Sequence, residues 1–81
     1  MGMNALQCRM ARAALGESAS QVAKRAKLSA DTLQSFENGR KVTPSTRLAL
    51  KRVFESAGIV FYENDEGDVG VIIKPFAITV V

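Results

Sequence analysis

Residues that start or stop helices recur through the first 58 positions so closely that no long helix fits between them. Gly16 can take the left-handed conformation that closes a helix. Ser18 and Gln21, three apart, form a capping box in which each side chain satisfies the other's backbone N–H. Ser29 is a good N-cap, and Asp31 follows in the first turn, where a carboxylate complements the helix dipole. Gly39 supplies a C-cap. Thr43 caps the next helix, and Pro44 sits at its first position, where a missing N–H costs nothing. Gly58 ends that helix after Ala57. A chain punctuated like this builds its core from several short helices, each held by its neighbours and not by its own propensity.

The apolar spacing agrees. In "MNALQCRMARAAL", Leu6, Met10, Ala13 and Ala14 form one helical stripe. The second helix buries Val22, Ala23 and Ala26 and ends near Lys27, the third turns Leu33 and Phe36 inward, and the fourth carries Leu50, Val53, Phe54 and Ala57. After Gly58 the period changes. "IVFYE", the turn "NDEGD" and "VGVII" read as a β-hairpin. Pro75 interrupts it, and "FAITVV" can add a third short strand. The expected fold is mostly α: four or five helices over residues 1–58, then a β extension over 59–81.

That hairpin is apolar on both faces. Ile59, Phe61, Val69, Val71 and Ile73 alternate with Val60, Tyr62 and Ile72. A lone two-stranded hairpin of this kind is not stable in water. One face can pack on the first and fourth helices. The other face, or the free edge, either folds back on the same chain or takes a partner, most simply a second copy. Val60, Tyr62, Val71, Ile72, Phe76 and Ile78 are the residues expected at that homodimer interface.

Charge divides at the same point. Residues 1–58 sum to +6 and residues 59–81 to −3, within a total of +3. The first part can face a polyanion, which would repel the second; alternatively the charges only keep a small protein soluble. With no His and one Cys, neither a metal site nor an internal disulfide is expected. Cys8 reads as a half-buried helix residue. No nucleophile–base pair or phosphate-binding glycine loop can be assembled, so no enzyme activity and no cofactor are expected. No apolar run approaches the roughly 18 residues of a membrane span, and the N-terminus lacks a signal-peptide core, so the expected location is the cytoplasm.

The stretch "KLSADTLQSFENGRK", residues 27–41, then finds a use. It is too polar to serve as a core helix alone. Two short helices joined by three or four residues, the second with a polar outer face, describe a helix-turn-helix. The second helix packs one side on the domain and can lay the other in a DNA major groove.

From Asn4 to about Gly58 the chain resembles the Cro/phage-repressor (Xre) type of helix-turn-helix domain. The residues that carry the resemblance are Ala23, where two helices cross, Leu28–Ser29, Thr32–Leu33, and "FENGRKVTPS" from Phe36 to Ser45. Lys27 departs from it, standing in the turn where such domains usually have Gly. A left-handed conformation there costs a non-Gly residue about 1 kcal/mol.

The resemblance implies double-stranded DNA as partner, read by the helix over residues 29–38. Ser29, Ala30, Asp31, Gln34 and Ser35 would meet base edges or nearby phosphates. Ser18, Gln21, Lys27, Asn38, Arg40 and Lys41 would meet phosphates. It also implies a structural pair, Arg12 with Glu37. The residues themselves leave other roles open. Ser29 can be an N-cap, a base contact or both. Asp31 can accept from cytosine N4 or serve only the helix dipole, Gln34 can point to water, and Arg40 and Lys41 can be a solvated turn. The function implied is a small dimeric regulator, a repressor of phage-like or mobile-element genes, reading an inverted repeat. The competing expectation is a protein-binding module, an antitoxin or antiactivator, working through the hydrophobic C-terminal extension.

Overall fold

A computed structural model describes residues 3–74. Four helices precede a two-stranded antiparallel hairpin, the mostly helical fold with a terminal hairpin that the change of period predicts: α1 (Ala5–Leu15), α2 (Ala19–Arg25), α3 (Ala30–Glu37), α4 (Pro44–Ser56), β1 (Ile59–Glu63) and β2 (Val69–Ile73). The possible third strand over "FAITVV", with Phe76 and Ile78, lies outside the described residues.

Side-chain caps set the helix starts. Ser18 and Gln21 make the reciprocal box, Ser29 Oγ accepts from the Thr32 N–H, and Thr43 Oγ1 accepts from the Thr46 N–H. α1 begins with a second capping box: Asn4 Oδ1 accepts from the Gln7 N–H at 2.7 Å, and Gln7 Oε1 accepts from the Asn4 N–H at 3.0 Å. At the end of α3 the C-cap residue is Asn38, and Gly39 follows it in the left-handed region at φ 88°.

The face that α1 buries differs from the expected stripe. Gln7, Cys8 and Ala11 are buried and Leu15 is partly so, whereas Leu6, Ala13 and Ala14 are exposed and Met10 is half-buried. Cys8, Ala11 and Leu15 also recur at helical spacing, so periodicity alone allows either face. The packing favours the small side chains, which let α1 lie close to α3; an alanine left in water costs little.

α2 packs on α3 and α4 through Val22 and Ala23, both essentially inaccessible. Between the motif helices Lys27 is held at φ 60°, the only positive-φ residue other than glycine among those described. Leu28 N–H reaches back to Ala23 O at 2.8 Å across this turn. Lys27→Gly should therefore stabilise the domain by about 0.5–1 kcal/mol, the left-handed strain relieved less the added freedom of the unfolded chain. Urea denaturation measures it, and an unchanged midpoint would mean that the strain is no larger than the entropy that glycine adds to the unfolded chain.

One core joins helices and hairpin. Met3, Leu33, Phe36, Leu50, Phe54 and Ile59 fill it, with Phe61, Val71 and Ile73 packed at its margin. The Phe54 and Phe61 rings meet edge to face, centroids 6.1 Å apart at 75°. β1 packs on α4 and β2 on α1. A buried polar latch adds to this: Gln7 Nε2 donates to Tyr62 O at 2.9 Å and to Gly70 O at 3.1 Å. The register pairs Val60 with Ile72 and Tyr62 with Gly70 on the outer face. In the connecting turn Asn64 Oδ1 accepts from the N–H groups of Glu66 and Asp68.

Candidate nucleic-acid interface

α3 has two unlike sides. Leu33, Phe36 and Glu37 are buried. Asp31, Gln34 and Asn38, at i, i+3 and i+7, form an exposed polar stripe, with Ala30 and Ser35 half-buried beside it. Ser29 is exposed at the start of the helix, where its hydroxyl is engaged by the Thr32 N–H at 3.1 Å and Thr32 Oγ1 at 2.9 Å. Lys27 is exposed just ahead of it.

The fold brings the start of α2 to the far end of this stripe. Ser18, Ala19, Gln34 and Asn38 share one hollow with Arg12 and Glu37. Gln21 is exposed at the same helix start; its Oε1 is used by the capping box, which leaves the side-chain NH2 as a donor. The start of α2 and the end of α3 thus border a single concavity. A second hollow gathers Asn4, Phe36, Arg40, Lys41 and Arg47. Arg40, Lys41 and Arg47 are exposed, and the Arg47 guanidinium lies 6.0 Å from the centroid of the Phe36 ring. The sequence reading did not place Arg47 beside the Arg40–Lys41 pair. Its signal was its place one turn into a helix capped by Thr43, close to the Arg40–Lys41 pair.

A charged cluster holds the end of α3. Arg12 is bidentate to Glu37: Nε to Oε2 and Nη2 to Oε1, each 2.7 Å. The Cys8 thiol donates to Oε2 at 3.2 Å, and Arg9 donates to the Glu37 carbonyl. Cys8 was read only as a half-buried helix residue, and Arg9 entered only the charge sum of residues 1–58; Arg9 stands three residues before Arg12, on the same helical face. Burial pushes the Glu37 carboxyl toward the neutral acid, but the hydrogen bonds from Arg12 and Cys8 and the charges of Arg12 and Arg9 outweigh it, so its pKa falls below the ordinary value. The Glu37 hydrogen bond raises the Arg12 pKa, and burial, reinforced by Glu37, raises that of the Cys8 thiol.

A comparison with protein families matches residues 5–54 to the helix-turn-helix domain. The chain belongs to this family. The helix-turn-helix domain is a DNA-binding kind of fold, and the match runs from the first residue of α1 to Phe54 near the end of α4. The hollow between α2 and α3 falls within it, and so does the basic hollow around Arg40 apart from Met3 and Asn4. No curated protein matches the chain. Among the described residues no group of three or more His, Cys, Asp or Glu could hold a metal ion. No described helix is long and apolar enough to cross a membrane.

Of the residues expected at a dimer interface, Val60, Tyr62 and Ile72 lie on the outer face of the hairpin, 40%, 46% and 45% exposed. Val71 faces the opposite way and packs against the core of its own chain.

Proposed function

We propose that this helix-turn-helix protein is a dimeric, sequence-specific regulator of the Cro/phage-repressor type, acting in the cytoplasm as a repressor at an inverted-repeat operator. The observation that carries the reading is the joint placement of the α2 start and the exposed α3 stripe around one concavity, with Arg40, Lys41 and Arg47 beyond the end of α3. α3 enters the major groove. Asp31 and Gln34 read base edges, with Ser29, Ala30 and Ser35 beside them. Ser18, Gln21 and Asn38 around the hollow between α2 and α3, Lys27 ahead of α3, and Arg40, Lys41 and Arg47 beyond it hold the phosphates and set the register.

Fluorescence anisotropy on a cognate and a random duplex tests it. Arg40→Ala and Lys41→Ala should weaken binding to both duplexes by similar factors and lower the log–log salt slope by about one each. Gln34→Ala should cost about 1–3 kcal/mol on the cognate site alone. Losses confined to one sequence for Arg40 and Lys41 would remove them from the backbone.

The exposed Val60, Tyr62 and Ile72 favour a second reading, in which the domain binds another protein through the hairpin as an antitoxin or antiactivator. No steeply salt-dependent duplex binding would then be measured.

A further inference from the structure

The outer face of the hairpin carries a pattern that fits one partner. Its rungs follow from the register, extended by hydrogen bonds from Lys74 N–H to Gly58 O and from Asn64 N–H to Asp68 O. Along the face they run Gly58 with Lys74, Val60 with Ile72, Tyr62 with Gly70, and Asn64 with Asp68. One end is therefore cationic, the middle is apolar, and the other end opens into the turn bearing Asp65 and Glu66. The apolar rungs are uneven. A Cβ placed on Gly70 would meet nothing within 4 Å, so the face has a notch beside the bulk of Tyr62.

We infer that two copies of this chain pack outer face to outer face with their strands antiparallel, about a two-fold axis at the level of Phe61 and Val71. This rests on the dimeric reading above and gives it a geometry. Reversing one hairpin over the other about that axis sets Lys74 over Asp68 of the second copy. Ile72 comes over the notch at Gly70, and Tyr62 comes over the smaller Val60. Each contact occurs twice, as an isologous interface requires. Packing the two faces with strands parallel would gather both acidic turns at one end, where like charges repel. Pairing through a strand edge would leave Val60 and Tyr62 in water. A partner of any other kind would not have to match this ladder read backwards.

Analytical ultracentrifugation of the full chain and its variants decides it. Tyr62→Ser should weaken dimerisation by about thirtyfold, as loss of a central aromatic does. Lys74→Asp and Asp68→Lys should each weaken it by about fivefold, because each faces its own charge across the axis. An equimolar mixture of these two variants should recover the native affinity, since opposite charges then meet at both ends. A dimer indifferent to Tyr62→Ser, or a mixture no tighter than its components, would overturn this geometry and leave the dimeric reading standing. A native chain that stays monomeric would overturn both, while the duplex titration judges DNA binding separately. Far-UV circular dichroism spectra of the variants, expected to match that of the native chain, keep folding out of the comparison.

Discussion

Arg12→Ala is expected to destabilise the domain by about 3 kcal/mol, the lower part of the range for breaking a buried ion pair, because Arg12 keeps some contact with water. Its side chain is 24% exposed, whereas that of Glu37 is 6% exposed. The substitution strands a carboxylate whose two strongest hydrogen bonds came from one guanidinium, with only the Cys8 thiol and the charge of Arg9 left to offset burial. The pH dependence gives a second readout. In the native protein Glu37 titrates below its ordinary value of 4.5, so its ionised form contributes stability that is fully present above that pH. The contribution is lost as pH falls through the lower folded value. Without Arg12, burial favours the neutral acid and the penalty belongs to the ionised form. The gap between the two proteins should be widest near neutrality and narrow in acid. Urea midpoints at neutral pH and near pH 3 measure it; a gap that is constant across them would mean that Glu37 is not the group left behind.

The parts of the fold that were legible in the sequence are those governed by chemistry within a few residues. Ser18, Ser29, Thr43 and Gly16 punctuate helices because a hydroxyl three positions from an N–H, or a missing Cβ, acts locally. The left-handed turn at Lys27 could be expected because the motif demands it there whatever the side chain. The buried face of α1 could not, because Leu6–Met10–Ala13 and Cys8–Ala11–Leu15 satisfy the helical period equally well. Only the elements packed on α1 choose between them. Gln7 was hidden for a related reason. A glutamine in a helix reads as a solvent-facing residue, and its acceptors are backbone carbonyls 55 and 63 positions away. The site divides in the same way. The exposed stripe of α3 follows from where Leu33 and Phe36 point, whereas the joining of Arg47 to Arg40 and Lys41 depends on how α4 leaves the loop.

Removal of the hairpin after Gly58 is expected to abolish cooperative folding altogether. Residues 1–58 contain the whole family match, yet the core does not close within it: Met3 and Ile59, each 1% exposed, lie outside residues 5–54. Deleting a fully buried Ile alone typically costs about 2–5 kcal/mol. Phe54 would lose the ring of Phe61 and stand open to water. The side-chain amide of Gln7 would lose both acceptors while still on the core side of α1, a further cost of about 1–3 kcal/mol wherever water cannot replace them. Domains of this size hold only about 5–15 kcal/mol in total, and a short chain sits low in that range. The truncated chain should therefore show a shallow, non-cooperative melt by circular dichroism and no measurable duplex binding. A sharp transition in the fragment would show that the helices stand alone and that the hairpin is an appendage. The expected outcome also dictates how association must be studied. Since the inner face of the hairpin holds the core, deletion removes the fold together with any interface, and only substitutions on the outer face, at Tyr62, Asp68 and Lys74, can separate the two.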